Sequence, residues 1–286
     1  MNVLKTGLLL SILTAILILI GHLLGGASGA MTMFIVALAM NFLSYWFSDK
    51  LVLAMYRAKP LSESEAPQVY RAVREIAERD NVPMPTLYWL PTKTPNAFAT
   101  GRNPKHAAVA VTSGLLEIMN EEELKGVLAH ELSHVKNRDT LIMSIAAALA
   151  GAIMMLARMA QWGLWMGGGR DRDSEHRGNG ALQIVAILLI AILAPLAAML
   201  IQLAISRTRE YGADASGAHI TRNPEGLASA LEKLHQAAEA YPLPHANPAT
   251  AHLFIVNPLS GQSLAALFST HPPIAERVRR LRSMQV

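Results

Sequence analysis

Cysteine is missing altogether from the 286 residues. Its absence excludes disulfides and thiolate zinc ligands, so any bound metal must rely on histidine and carboxylate. Charge is scarce as well: Asp, Glu, Lys and Arg make up 16% of the chain, against about 25% in soluble domains. The net charge of +4 comes with no basic–aromatic stripe and no DNA-reading motif. It therefore reads as membrane topology rather than nucleic-acid binding.

What the chain has in excess is apolar sequence, concentrated in four runs at 7–24, 31–47, 141–157 and 181–205. Each has about the length a bilayer-spanning helix needs. The second run can continue past Asp49 and Lys50 as an amphipathic extension to Met55. Lys5, the first run and the small residues 27–30 also fit a cleavable signal peptide. A second run starting at Met31 favours an uncleaved hairpin instead, turning at 25–30.

Basic residues set the orientation. Lys5, Arg57, Lys59, Lys136, Arg138, Arg207 and Arg209 all border one side of a four-span arrangement. The opposite side has the uncharged 25–30 turn and the loop 167–180, where Arg170, Arg172 and Arg177 are balanced by Asp171, Asp173 and Glu175. This asymmetry puts both termini and the soluble part in the cytoplasm. Arg158, late in the third run, snorkels to the far interface or ends the span. The expected organisation is a two-span hairpin over 1–56, a first soluble segment over 57–139, a second hairpin over 140–206 and a second soluble segment over 207–286. In class, this is a mainly α integral membrane protein of four transmembrane helices with an α+β cytoplasmic domain.

Within the soluble part, Ser62 to Glu65 reads as a capping box opening a helix to about Arg79, with Val69, Val73, Ile76 and Ala77 on one face. Pro83 and Pro85 end it. Three β-like stretches follow at 86–90, 97–100 and 107–112, separated by Pro and Gly, and predict a small sheet. Asn120 is a good N-cap for the next helix, and Glu121, Glu122 and Glu123 place negative charge at its positive end.

That helix carries His130-Glu131-Leu132-Ser133-His134, an H-E-x-x-H pattern. Residues four apart share a helix face, so both imidazoles can reach one ion, with the intervening glutamate placed to act on a water beside it. Glu131 projects from an apolar face of Leu124, Val127, Leu128 and Val135, a costly place for a carboxylate without a partner. A catalytic zinc takes three protein ligands and keeps one position open. Glu210 is the best third ligand, because it follows the fourth run as closely as His134 precedes the third. Antiparallel spans bring the two to one membrane surface. Asp214, one turn further on, can orient a ligand imidazole. His106 and His271 remain rival third ligands.

These residues resemble the membrane-bound zinc peptidases of HtpX type, related to the prenyl-protein CAAX endopeptidases. The resemblance is carried by His130 to Asp139, by Arg209 to Asp214, by Asn96 to Gly101 and by Thr270 to Pro273. No motif matches in the Pro-rich connection 240–261. The resemblance implies a zincin-like (gluzincin) protease domain. Zinc would be held, one ion per subunit, by His130, His134 and Glu210, with Glu131 as general base and Asp214 behind the ligands. Asn137 would help shape the substrate cleft. Asn96, Ala97 and Phe98 would begin an edge strand receiving an extended peptide. His271 would steady the oxyanion, and Arg277 or Arg280 would contact substrate. The implied activity is hydrolysis of misfolded or damaged membrane proteins at the cytoplasmic face of the bacterial inner membrane, in stress-responsive quality control. Polypeptide substrates, the lipid bilayer and other quality-control proteases are the implied partners. A zinc-holding scaffold is disfavoured because Glu131 is intact, and a metal transporter because no span carries a cluster of acids or histidines.

Overall fold

The computed structural model describes residues 2–151, 153, 207–240, 253–255 and 272–286. The greater part of the second hairpin, its 167–180 loop, most of the Pro-rich connection and His271 lie outside the described residues.

Helix α1 (Asn2–Met55) is two helices joined at a reversal, where Gly25 and Gly26 leave helical geometry and Gly26 takes φ +60°. A side chain there would strain the backbone, and glycine carries none. The two arms run back along each other, and the Asn41 side-chain amide donates to Thr14 Oγ1 at 2.9 Å. The turn is tighter than the 25–30 stretch expected from sequence. Two glycines suffice to reverse the chain, so residues 27–30 wind into the second arm.

That arm, Gly25–Met55, is the one helix among the described residues long and apolar enough to cross a membrane. Its 31 residues rise about 46 Å, more than the ~30 Å hydrocarbon thickness. The surplus is the amphipathic extension. Ser44, Ser48 and Val52, each one turn apart, are buried, while Trp46, Phe47 and Leu51 stay exposed.

The extension leads into a four-stranded sheet, β1 (Lys59–Pro60), β2 (Thr86–Leu90), β3 (Ala97–Gly101) and β4 (Ala107–Thr112), in the order β1-β2-β4-β3. β2 and β4 are parallel, and the other pairs are antiparallel. Side chains alternate between faces, as strand geometry requires. Leu87, Ala97, Ala99, Val109 and Val111 enter the core shared with the helices. Leu90, Phe98, Ala108 and Ala110 pack against Val52 and Leu53 of α1 and against Ile142, Met143, Ala146 and Ala147. Coverage on both faces explains why β3 and β4 read as continuous apolar runs rather than alternating ones.

Helix α2 (Pro67–Arg79) starts later than the capping box implies. Ser62 N does donate to Glu65 at 2.8 Å, but Pro67 has no N–H to give an earlier turn, so the helix opens with Pro in its first turn. After α3 (Ser113–Ile118), helix α4 (Glu121–Lys136) begins with a complete capping box between Asn120 and Glu123. Glu123 also accepts from Ser229 Oγ at 2.6 Å and Lys233 Nζ at 2.7 Å, tying the start of α4 to a later helix.

Four more helices complete the described fold: α5 (Asp139–Gly151), α6 (Arg207–Thr221), α7 (Pro224–Ala240) and α8 (Ile274–Arg282). The core of α2, α4, α6, α7, α8 and one sheet face is continuous. Gly217 of α6 lies where a Cβ would meet the His130 backbone nitrogen at 3.0 Å. That missing side chain lets α6 come close enough to α4 for its carboxylates to reach the histidines.

Candidate metal centre

His130, Glu131 and His134 are all buried on α4, and Glu210 and Asp214 are buried on α6. The expected trio meets: His130, His134 and Glu210 offer ligand atoms within 4.8 Å of one another. The two Nε2 atoms are 3.3 Å apart. Glu210 places Oε2 3.8 Å from His130 Nε2 and Oε1 3.6 Å from His134 Nε2. Tetrahedral zinc with nitrogen and oxygen ligands needs donor atoms about 3.3–3.4 Å apart.

The far sides of both rings explain why these atoms tolerate each other. His130 Nδ1 faces Asp214 Oδ1 at 3.0 Å, and His134 Nδ1 faces Asp139 Oδ2 at 3.1 Å. Each Nδ1–H donating to its carboxylate fixes the tautomer that leaves Nε2 as a lone pair. In that tautomer two lone pairs and a carboxylate converge, with Arg277 Nη2 only at 3.5 Å from the His130 ring nitrogens, and a cation between them relieves the repulsion. These residues fit a zinc ion, and the paired carboxylates are the usual outer support for zinc-bound histidine.

Protonation follows from the same contacts. Burial alone would lower His134, but the bond to Asp139 and the charges of Glu210 and Glu131 outweigh it and push it up to about 9. Without a metal, a proton takes the cation's place. Burial, followed by the charges of Arg277 and His134, lowers His130 against the opposing pull of Asp214. Burial and the Glu210 charge raise Glu131 to about 8, although His134, the Ala99 amide and Arg277 favour its ionised form. Burial also penalises the Asp214 carboxylate, but the Arg277 charge and its hydrogen bonds hold it at about 2.

Arg277 of α8 is fully buried. Its Nε and Nη2 grip Asp214 at 2.8 and 2.7 Å, its Nη1 donates to the Ile255 carbonyl at 3.2 Å, and the same Nη1 lies 3.8 Å from Glu210. Both named basic residues of α8 are thereby placed. Arg277 braces the carboxylates from behind, and Arg280 lies outside, stacked 3.8 Å over the Tyr211 ring.

The strand expected at 97–100 is present as β3. Among the described residues β3 pairs with β4 alone, and its outward amides meet side chains of the same chain. Ala99 N donates to Glu131 Oε2 at 2.8 Å, Ala97 N to Asn96 Oδ1 at 3.0 Å and Gly101 N to Ser144 Oγ at 3.3 Å. Asn96 Oδ1 also accepts from Ile255 N at 3.1 Å. Phe98 turns to the opposite face, against Tyr56 and Phe254. Asn137 caps the C-terminus of α4 and is exposed. His106 is exposed in the β3–β4 turn with its ring on Asn103 at 2.9 Å, apart from the trio.

Asp139 was not legible as a partner for His134. Positions five apart do not share a helix face. The chain leaves α4 at Asn137, takes φ +57° at Arg138 and restarts as α5, and that bend swings Asp139 back to the imidazole.

The pattern of peptidase family M48 matches residues 63–285. The chain belongs to peptidase family M48. It is of the HtpX type: a protein from Syntrophobacter fumaroxidans named "Protease HtpX homolog" is 62% identical over 280 residues, 98% of each chain. Proteins of the same name from Thermococcus sibiricus and Pelotomaculum thermopropionicum are each 57% identical, covering 98% and 100% of this chain and 95% and 100% of their own. The crystal structure of S. mikatae Ste24p shares the fold with a TM-score of 0.53 at 17% identity, covering 94% of this chain. This chain spans 62% of that protein's length.

Proposed function

We propose that this membrane-associated M48 protease is a zinc endopeptidase that cuts polypeptides, membrane proteins among them, at the cytoplasmic membrane surface. The observation that carries the reading is the convergence of two imidazole lone pairs and the Glu210 carboxylate beside a buried glutamate. His130, His134 and Glu210 would hold the zinc, which when bound supplies a Lewis acid that acidifies water and polarises a carbonyl.

Glu131 takes the proton from the attacking water and later delivers it to the leaving amine. A zinc ion held beside it would favour its ionised form, which is the form that accepts the proton. Glu131 Oε2 accepts from the Ala99 amide at 2.8 Å, which anchors the carboxylate beside β3 while its second oxygen can take the proton. Asp214 and Asp139 keep the two rings aimed, and Arg277 keeps Asp214 ionised. A peptide aligned along β3 would lie next to Glu131, with Asn96, Ala97 and Phe98 at the start of the edge and Asn137 bordering the cleft. His271 would donate to the oxyanion.

In this reading the chain has four spans with both termini and the site in the cytoplasm of a bacterial cell. It clears misfolded or damaged membrane proteins under stress, alongside other quality-control proteases. The position of the site supports a membrane-surface reaction, because the helix bearing both histidines is followed within three residues by apolar α5.

The test is Glu131→Gln. Zinc content measured by mass spectrometry should stay at one ion per chain, while casein cleavage falls by at least a thousandfold. A zinc-loaded variant that still cleaves removes Glu131 from the role of base.

A further inference from the structure

Outside the metal centre, one surface combines features the protease reading does not use. From the Gly25–Gly26 reversal to Trp46 is a helical rise of about 30 Å, equal to the usual hydrocarbon thickness. Trp46 therefore stands at the level of the lipid headgroups, and Tyr45 and Phe47 flank it, all three exposed. Aromatic residues collect at that depth because an amphipathic ring is satisfied by lipid on one side and water on the other.

The β3–β4 turn, residues 102–106, reaches the same level. The Arg102 guanidinium lies 4.8 Å over the Trp46 ring, and Lys50 lies 5.6 Å over Phe47. Lys105 and His106 are exposed in the same turn. Pro104 and the His106–Asn103 contact at 2.9 Å stiffen it. The turn contains no acid, and no carboxylate among the described residues pairs with Arg102 or Lys105. A rigid turn with two cations lacking counter-ions, set on an aromatic collar at headgroup depth, fits one partner chemistry, an anionic phosphodiester at the membrane surface.

We propose that Arg102 and Lys105, with Trp46 and Lys50, form a binding site for anionic phospholipid headgroups. The inference rests on the reading that the Gly25–Met55 arm crosses the bilayer. The site seats β3, the strand that holds Glu131, against the membrane. It makes the lipid surface a direct neighbour of the active-site edge.

The experiment uses the full chain in phosphatidylcholine vesicles, with spin-labelled phosphatidylglycerol or spin-labelled phosphatidylcholine as probe. Electron paramagnetic resonance reads the fraction of lipid immobilised at the protein. The wild type should prefer phosphatidylglycerol, and R102Q/K105Q should lower that preference by about fivefold for each cation removed. R102K/K105R should retain it. An unchanged preference in R102Q/K105Q, or no preference in the wild type, overturns the proposal. So does abolition of the preference by inorganic phosphate, which would mark a soluble-anion site. Alkaline carbonate separates the two levels of failure: a chain stripped from the vesicles refutes the spanning reading too, whereas a chain that stays inserted refutes only this one.

Discussion

Helices α4 and α5 are equally buried and almost contiguous, yet their surroundings are opposite in kind. Around the C-terminal half of α4, five ionisable side chains meet a buried arginine: His130, Glu131, His134, Glu210 and Asp214 against Arg277. Around α5, beyond Asp139 at its first position, the buried residues are Leu141, Ile142, Ile145, Leu149 and their alanine neighbours, with polarity reduced to Thr140 and Ser144. A buried charge costs several kcal/mol unless it is paired and hydrogen-bonded. The α4 region meets that cost by giving nearly every charge a partner within 4 Å, and the α5 region avoids it. Arg209 marks the border: its Nε lies 3.9 Å from Asp139, while Nη1 and Nη2 are buried without a hydrogen-bond partner among the described residues. Substitutions on the two sides should therefore differ in size and in what they damage.

The largest effect belongs to Arg277→Met. It leaves the buried Asp214 carboxylate without its cation and with only the His130 ring as partner, which costs about 3–5 kcal/mol, and it frees the Ile255 carbonyl. Denaturant titration in detergent should show that loss together with failure to retain zinc. A variant as stable as the wild type would mean that the Arg277 clamp is not what holds α8 to the site.

Asp139→Asn comes next. Removing one carboxylate behind a zinc-bound histidine lowers affinity by about 10–100-fold, measurable by chelator competition with the fold intact. Equal affinity would make the left-handed bend at Arg138 irrelevant to metal binding.

The metal-free protein should lose stability as pH rises. Glu131 is raised from 4.5 to about 8 and His134 from 6.5 to about 9, so the folded state holds more protons than the unfolded one across that range. The contribution of these two groups is fully present below about 4.5 and is lost progressively until both have titrated, while His130, lowered by burial, opposes the trend below 6.5. Asp214, held down at about 2, acts in the other direction: its contribution is present above 3.8 and lost only as pH falls towards 2. A falling Tm between pH 5 and 9 should be seen after chelation. Zinc should reverse it, since binding displaces the same protons.

The smallest effect lies in the hairpin. Thr14→Val and Asn41→Leu together remove one interhelical hydrogen bond, worth about 0.6 kcal/mol in a membrane setting. A double-mutant cycle coupling well above 2 kcal/mol would show that polar contacts here matter as they do around α4.

The same contrast explains what could be read from the chain alone. His130 and His134 share a face by helical periodicity, and Glu210 follows from matching depth in the membrane, so the trio was accessible. The amphipathic extension to Met55 and the strands near 86–112 were legible from local pattern. Asp139 was hidden, because its reach depends on one positive φ. Arg277 was hidden too, since nothing local connects a C-terminal helix to the Asp214 carboxylate 63 positions earlier. The resemblance implied Arg277 or Arg280 as a substrate contact, whereas packing turns Arg277 inward onto Asp214. The start of α2 moved because Pro67 overrides a well-formed capping box.

The bend at Arg138 has one more consequence. The first residue of an apolar rod grips the imidazole that closes the preceding rod, so a single backbone torsion sets both the tilt of the greasy helix and the aim of a coordinating nitrogen. The reactive centre and its anchorage cannot be tuned separately, because they meet at the same pivot.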